Sequence, residues 1–186
     1  MKVIGIDPGS QSCGYAIVEK DGTSLRVVES GAIRPKRTLP LHERLHLISE
    51  GVSLKMETFS PDCMSIEKVF VAKNSKSAIH LGQARGAMLA AAGARAMDVH
   101  EYSPTRVKKS VTSNGRASKE DVQKMVSIMT GMKSFETSDE SDAIAVAICH
   151  INAARPGGKI PVFSPRKNTR RRRFSPDDFP AERKNC

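Results

Sequence analysis

A strongly apolar segment follows directly on a cluster of carboxylates late in the chain. Residues 137–148 read TSDESDAIAVAI, so three acidic side chains stand within four positions, immediately before a run without any polar side chain. The pattern predicts a helix over residues 139–154. Because this helix is apolar on most of its faces, we expect it to be buried on most sides.

The start of a helix explains only part of the acidic cluster. Thr137 and Glu140 have the spacing of a capping box, and acidic residues in a first turn suit the helix dipole. Asp142 lies in the second turn on the same face as Asp139, beside the apolar run, where a buried carboxylate needs a partner. No basic residue is within three or four positions of it. We therefore expect either a basic group from elsewhere in the fold or a cation.

The preceding segments predict a mixed sheet flanked by helices. Three apolar runs separated by tight turns open the chain and predict an antiparallel meander, with strands over residues 3–6, 14–18 and 25–33. Two further strands are predicted over 63–66 and 97–101, and helices over 39–59, 75–96, 103–111 and 118–129. The order predicts one α/β domain over residues 1–154 with a five-stranded sheet.

Two more carboxylates stand at predicted strand ends. Asp7 ends the first strand and Glu67 ends the fourth, and sites in open α/β sheets cluster at the carboxyl ends of strands. Together with Asp139 and Asp142 they make four acids on elements that can converge. Carboxylates in such a cluster raise one another's pKa values and repel one another unless a cation is present. Mg²⁺, a hard ion that prefers oxygen ligands, fits a site without a convincing histidine or thiol set.

The positive charge of the chain is concentrated near its C-terminus. The formal net charge is +10, and residues 151–186 hold 10 of the 30 Lys and Arg but only 3 of the 20 Asp and Glu. This segment has no apolar periodicity and contains the run RRRR at 170–173. We expect residues 155–186 to form a flexible basic tail that contacts a polyanion, rather than a second domain.

The sequence favours a cytoplasmic protein that does not enter a membrane. No apolar run approaches the length of a membrane span, and the N-terminus, MKVIGIDPGS, reaches a turn too soon for a signal peptide. The four cysteines are widely spaced without a CxxC motif, so neither a zinc site nor a disulfide framework is predicted.

Three stretches resemble one known family. GIDPGS at 5–10, SIEKVFVAKNSKSAIHLGQARG at 65–86 and SDESDAIAVAICH at 138–150 closely resemble the RuvC Holliday-junction resolvases, and the resemblance covers about residues 1–153. It implies an RNase H-like fold, a homodimer in the bacterial cytosol, and magnesium-dependent cleavage of four-way DNA junctions during recombination and repair. It also implies the RuvA-RuvB branch-migration complex as a partner.

The resemblance assigns roles to the four carboxylates. Asp7, Glu67, Asp139 and Asp142 fall on the metal-binding carboxylates of the family, and none is replaced. Two Mg²⁺ ions about 4 Å apart, with Mn²⁺ as a substitute, can activate water and stabilise the leaving oxygen of a phosphodiester. Asp7, on a central strand, is the expected bridging ligand, while Glu67 holds one ion and the pair Asp139 and Asp142 holds the other, or the three acids share the two ions.

The resemblance also implies DNA contacts. Lys108 and Lys119 match basic residues near the DNA backbone, and Lys119 is expected to stabilise charge at the scissile phosphate as a catalytic residue. Phe70 matches an aromatic residue that engages bases at the junction, and it can stack on an unpaired base among neighbouring lysines. The remaining predicted DNA contacts are Lys73, Lys76 and Arg85.

Residues with small side chains recur along the predicted second helix. Gly82, Gly86, Ala90 and Ala94 follow one another at intervals of four. Such a stripe permits close backbone approach, so it either packs on the sheet or contributes to a dimer interface. A four-way junction has two strands to cut symmetrically, which favours a two-fold dimer with one active site per chain.

Two other classes of protein remain to be weighed. GIDPGS also resembles the first phosphate loop of actin-like ATPases and sugar kinases, but those enzymes enclose a nucleotide between two domains, and a second glycine-rich phosphate loop is missing from this sequence. A DNA-binding module without catalysis is the other alternative, and intact acids at all four positions argue against it. Metal-dependent nicking of DNA would distinguish the nuclease from both.

Overall fold

Five strands and five helices form the described part of the chain. The computed structural model describes residues 1–68 and 75–154, and the side chains of all of these except residues 75 and 76. The strands are β1 (Lys2–Asp7), β2 (Cys13–Asp21), β3 (Ser24–Ile33), β4 (Cys63–Glu67) and β5 (Asp98–Tyr102). The helices are α1 (Leu41–Phe59), α2 (Ser75–Ala94), α3 (Pro104–Thr112), α4 (Lys119–Thr130) and α5 (Ser138–Ala153). All the predicted strands and helices are present, which confirms the α/β class.

The strands form one mixed sheet in the order β3-β2-β1-β4-β5. The first three strands are the predicted antiparallel meander. β4 runs parallel to both β1 and β5, with Ile6 paired with Ile66. Asp7 and Glu67 each follow a member of that pair, so the parallel register brings them to the same edge of the sheet.

Helices cover both faces of the sheet. On one face α1 and α2 bury Ile48 and Met88 against strand residues that include Ile4. On the other face α5 buries Ile144 and Ile148, and α3 and α4 pack around it. The apolar helix predicted from the sequence is therefore enclosed between the sheet and two further helices, as its composition requires.

Two glycines allow α5 to lie directly on the sheet. A Cβ at Gly5 of β1 would come within 2.1 Å of the carbonyl oxygen of Ala143, and one at Gly14 of β2 within 2.0 Å of the carbonyl oxygen of Asp139. Neither position tolerates a side chain without a shift of the helix backbone. The strand residues beneath α5 thus fix how near its first turns approach Asp7.

The start of α5 differs from the predicted capping box. Thr137 accepts a hydrogen bond from the backbone N–H of Glu140, as expected of an N-cap. The Glu140 carboxylate does not bond back to Thr137. It accepts from the backbone N–H of Glu136 at 2.6 Å and from the hydroxyl of Ser30 at 2.6 Å, because the sheet offers this buried side chain a donor from β3. A complete capping box occurs instead at α4, between Ser118 and Asp121.

The second helix ends earlier than predicted and leaves its small residues open. α2 stops at Ala94 rather than at Ala96, because Ala96 adopts a left-handed conformation (φ 49°). Gly82, Gly86, Ala90 and Ala94 are exposed, and a Cβ at either glycine would meet no described atom within 4 Å. The stripe therefore does not pack on the sheet, whereas Met88, on another face of the helix, is buried in a cluster with strand residues.

Some predictions concern residues beyond this description. Phe70 and Lys73 lie outside the described residues, the side chain of Lys76 is not described, and the basic tail over 155–186 is also outside. Among the described residues, no helix has the length and apolar character that a bilayer crossing requires.

Candidate active site

Four acidic residues from three elements meet at one edge of the sheet. Asp7 ends β1, Glu67 ends the neighbouring parallel strand β4, and Asp139 and Asp142 lie in the first two turns of α5. Gly14 holds the α5 backbone against β2 at the level of Asp139. The structure thus places the four predicted carboxylates together, although their role as metal ligands stays a prediction.

The acids strongly disfavour one another's charge. Burial, followed by the charges of Asp142, Glu67 and Asp139, raises the pKa of Asp7 to about 8. Burial and the charge of Asp142 raise the pKa of Glu67 to about 7, against the opposing effects of Lys119 and Lys108. Desolvation and like charges are the two ordinary causes of such shifts. A site of this kind gains stability when a cation binds.

One lysine supplies the basic partner that Asp142 lacks along the chain. The Nζ of Lys119, the first residue of α4, lies 2.7 Å from Oδ2 of Asp142. Burial lowers the pKa of Lys119, but its hydrogen bond to Asp142 and the charges of the acids outweigh that effect and raise it. The ammonium group is therefore fully charged at neutral pH. Its side chain is 48% exposed, so it also faces the solvent in front of the acids.

A pocket opens beside this ion pair. Glu67, Asp142, Lys108 and Lys119 line it, together with apolar side chains of α3, α4 and α5. Lys108 donates to the carbonyl oxygen of Ala117 at 2.7 Å, which holds its side chain along the loop between α3 and α4. The pocket combines acidic ligands with two cations, an arrangement that can hold both a metal ion and a phosphate.

Sequence reasoning missed a polar residue that orients Asp139. The Ser12 hydroxyl, in the loop between β1 and β2, donates to Oδ2 of Asp139, and the Ser138 hydroxyl lies 3.3 Å from Oδ1. Arg34, just after β3, reaches the Ser12 hydroxyl at 3.5 Å. The signal for Ser12 is present in the sequence DPGSQS, because a turn that follows Asp7 directly must bring its polar residues to the same edge of the sheet.

Arg85 has an intramolecular partner. Its guanidinium pairs with the carboxylate of Glu101, a β5 residue that is only 8% exposed. Because a buried carboxylate needs such a counter-charge, this ion pair gives Arg85 a structural role in joining α2 to β5. Its predicted contact with DNA stays a prediction.

The donor set at the edge of the sheet suits a hard divalent cation. Carboxylate oxygens are the ligands that Mg²⁺ takes, and here they are partly desolvated with a single lysine as a counter-charge within contact distance among the described residues. A second group of metal-ligand side chains lies elsewhere: Cys63, His100 and His150 each place a ligand atom within 4.8 Å of the others. The absence of a CxxC motif led to the prediction of no zinc site, but spacing along the chain does not report on this group, because its members lie on three different elements.

Comparisons with known proteins agree with this geometry. Residues 3–150 match the family profile described as crossover junction endodeoxyribonuclease RuvC. The chain is 45% identical over 153 residues to RuvC of Trichlorobacter lovleyi, covering 82% of this chain and 86% of that one. It is 46% identical over 154 residues to RuvC of Geobacter sulfurreducens, covering 83% and 94%.

Solved structures show the same architecture. The structure of T. thermophilus RuvC in complex with a Holliday junction substrate matches with a TM-score of 0.79 at 32% identity, covering 85% of this chain and 97% of that one. The yeast mitochondrial Holliday junction resolvase Ydc2 matches with a TM-score of 0.60 at 12% identity, covering 81% and 78%, and shares the fold. The predicted RNase H-like fold is confirmed, and the chain belongs to the RuvC family of crossover junction endodeoxyribonucleases.

Proposed function

We propose that this protein is a structure-specific endonuclease that resolves four-way (Holliday) DNA junctions by paired, symmetric, metal-dependent hydrolysis during recombination and repair. The observation that carries the proposal is the convergence of four carboxylates and Lys119 at one edge of the sheet in a chain of the RuvC family. T. thermophilus RuvC, 32% identical, forms a complex with a Holliday junction substrate.

The carboxylates would hold two Mg²⁺ ions, with Mn²⁺ as a substitute. Asp7, at the end of the central strand β1, would be shared by the two ions, and Glu67, Asp139 and Asp142 would complete the ligand set. When bound, the ions supply the Lewis acidity that activates water and stabilises the leaving oxygen. The Ser12 hydroxyl keeps Asp139 in one orientation. The raised pKa values of Asp7 and Glu67 mean that the acids must lose protons as the ions bind.

Lys119 would stabilise charge at the scissile phosphate. Its Nζ lies 2.7 Å from Oδ2 of Asp142 in the lining of the pocket, and its partial exposure leaves it accessible to DNA. A pre-oriented cation at a reacting phosphate costs no reorganisation during the reaction, which makes it effective. Lys108 lines the same pocket and would contact the DNA backbone on the α3 side.

Further DNA contacts would come from Phe70, stacked on an unpaired base, and from Lys73 and Lys76 beside it, with Arg85 on the same helix as Lys76. The basic tail over 155–186 would add phosphate contacts that do not depend on sequence. Residues 1–154 would form the nuclease domain. These assignments rest on the family and on residue chemistry.

The active unit would be a homodimer in the bacterial cytosol, without contact with a membrane, working beside the RuvA-RuvB branch-migration complex. The exposed stripe of Gly82, Gly86, Ala90 and Ala94 on α2 is flat enough for close approach of a second copy. The two-fold axis of such a dimer would relate the carboxylate sites of the two chains, so that each site would cut one of two symmetrically placed DNA strands.

The decisive experiment compares a synthetic four-way junction with a linear duplex of the same arm sequence, with and without Mg²⁺. We expect paired nicks in the junction only, and only with metal. The Asp142→Asn variant should still bind the junction without cleaving it. Cleavage of duplex and junction at equal rates, or binding without any metal-dependent cleavage by the wild-type chain, would reject the proposal in favour of a general nuclease or a DNA-binding module.

A further inference from the structure

A cysteine and two histidines come together far from the carboxylates. Cys63 opens β4, His100 lies in the middle of β5, and His150 lies near the end of α5. One ligand atom of each is within 4.8 Å of the others. The three side chains therefore connect two strands with the central helix.

The sheet register explains this meeting. In the parallel ladder Cys63 pairs with Asp98 and Ser65 pairs with His100, so Cys63 and His100 are diagonal neighbours on one face of the sheet. That face is the one covered by α5, because the Ser65 hydroxyl donates to the carbonyl oxygen of Val146 at 3.2 Å. His150 follows one helical turn later and lies above them.

The two imidazole rings are held in place, and one carries an unpartnered nitrogen. The rings of His100 and His150 stack with centroids 4.2 Å apart and planes inclined by 26°. The Tyr102 hydroxyl lies 2.8 Å from Nδ1 of His150, which leaves Nε2 as the free ring nitrogen. Nδ1 of His100 is buried and has no hydrogen-bond partner among the described residues. A buried polar atom of this kind is uncommon unless a ligand satisfies it.

We propose that Cys63, His100 and His150 form a second metal site, which binds one borderline-soft divalent ion of the Zn²⁺ class. Thiolate sulfur and imidazole nitrogen are the ligands that Zn²⁺ takes, whereas Mg²⁺ takes oxygen. Tetrahedral Zn²⁺ brings its ligand atoms to about 3.3–3.8 Å from one another. Because the three ligand atoms already lie within 4.8 Å of one another, the side chains need to approach by no more than about 1.5 Å. Three protein ligands leave the fourth coordination position of the ion for a water molecule. Water can reach this position from the side of His100, which is partly exposed.

The hydrogen bond to Tyr102 is what a metal-bound histidine requires. For Nε2 of His150 to bind the ion, Nδ1 must carry the proton and donate it to the Tyr102 oxygen. Burial raises the pKa of the Cys63 thiol to about 12, so the thiol is protonated in the absence of an ion. As the sulfur–metal bond forms, the S–H bond breaks and its proton passes to solvent.

The site is separate from the carboxylates and joins the elements that carry them. Cys63 lies four residues before Glu67, about 13 Å along β4, and His150 lies eight residues after Asp142, about 12 Å along α5. A bound ion would fasten the far end of α5 to β4 and β5. It would therefore stabilise the fold without taking part in the cleavage reaction.

Co²⁺ is the probe that distinguishes this site from the carboxylates. Co²⁺ enters Zn²⁺ sites, and a thiolate bound to it produces a near-ultraviolet charge-transfer band that carboxylates and imidazoles do not produce. Metal-free full-length protein in excess Mg²⁺ is titrated with Co²⁺, and Zn²⁺ is then added to displace it. We expect the band to saturate at one equivalent and to disappear with Zn²⁺.

Variants decide which residues are responsible. Cys63→Ala should abolish the band, whereas Cys13→Ala, the same change at another buried cysteine, should retain it. His100→Phe keeps a ring of similar size and should weaken Co²⁺ binding at least about tenfold, and it should remove the rise in Tm that Zn²⁺ produces in the wild type. This second variant still tests the site if Cys63→Ala fails to fold. No band in the wild type, or an unchanged band in Cys63→Ala or His100→Phe, would overturn the proposal.

Discussion

The two ends of α5 have opposite chemistry. At its N-terminal end Asp139 and Asp142 face Asp7 and Glu67, and burial makes the charges of the strand acids unfavourable. At its C-terminal end His150 is buried beside Tyr102 and Cys63 in a largely apolar environment. Both ends lie against the same sheet, and burial favours the neutral form of the ionisable groups at each, which is the protonated form for Asp7 and the deprotonated form for His150.

This difference separates function from stability within one helix. The N-terminal end concentrates like charges that lower the stability of the metal-free fold, an arrangement that persists where a cation or a reaction requires it. The C-terminal end keeps its groups neutral and packed. We therefore expect changes at the N-terminal end to affect catalysis most, and changes near the C-terminal end to affect stability alone.

The largest effect is expected from Asp7→Asn. The substitution keeps the shape of the side chain and removes the central carboxylate, so junction cleavage in Mg²⁺ should fall by about 10³-fold, or ~4 kcal/mol of transition-state stabilisation. Junction binding should persist, because less negative charge then faces the phosphates. Gel-shift and single-turnover cleavage assays measure the two separately. Cleavage within tenfold of the wild type would remove Asp7 from the site.

A smaller loss is expected from Lys119→Met. Without the ammonium group the phosphate loses one stabilising cation, and cleavage should fall by about 10²-fold with little change in junction affinity. Lys119→Arg should recover part of the rate because it restores the charge. Lys124→Met, at an exposed position on the same helix, is the matched control and should cleave normally. Equal losses in both Met variants would indicate a general electrostatic effect rather than a catalytic lysine.

Much of the N-terminal end of α5 could be predicted from the sequence. The strands and helices follow from hydrophobic periodicity, and the carboxyl ends of parallel strands explain why Asp7 and Glu67 meet. The sequence predicted that Asp142 has a basic group or a cation as its partner, but it did not identify that partner as Lys119. Its position depends on how α4 packs on α5, which no local pattern encodes.

The C-terminal end of α5 could not be predicted in the same way. Cys63, His100 and His150 are 37 and 50 residues apart along the chain. They meet only through a diagonal register between β4 and β5 and through the rotation of α5 about its axis. Sequence rules for metal sites depend on ligands a few residues apart, so they cannot detect three residues this far apart along the chain. The carboxylate of Glu140 is a similar case, because its donor on β3 became available only through packing.

The next prediction concerns the close contact between α5 and β2. In Gly14→Ala the new Cβ would lie 2.0 Å from the carbonyl oxygen of Asp139, so the start of α5 must move. We expect a loss of about 1–3 kcal/mol in the free energy of unfolding, together with slower cleavage because Asp139 is displaced. Gly93→Ala, where a Cβ meets no described atom within 4 Å, should instead stabilise the protein by up to about 1 kcal/mol. Urea unfolding measures both, and unchanged stability in Gly14→Ala would contradict the described contact.

The last prediction concerns the pH dependence of stability of the metal-free protein, which should have opposite signs at the two ends of α5. The pKa of Asp7 is raised by folding from 3.8 to about 8, so its contribution is fully present below pH 3.8 and is lost as the pH rises through 8. Burial, aided by His100, lowers the pKa of His150 from 6.5 to about 4, so its contribution is present above pH 6.5 and is lost as the pH falls through 4.

Thermal melts in EDTA at several pH values test this comparison directly. The Tm of Asp7→Asn relative to the wild type should rise between pH 4 and pH 8, because the asparagine carries no charge to bury. The Tm of His150→Gln relative to the wild type should rise in the other direction, as the pH falls from 6.5 to 4, since glutamine does not take up a proton. Saturating Mg²⁺ should reduce the first difference at high pH, because bound cations compensate the carboxylate charges, and it should leave the second unchanged. If both differences had the same sign, or if Mg²⁺ altered both equally, the two ends of α5 would not be electrostatically distinct.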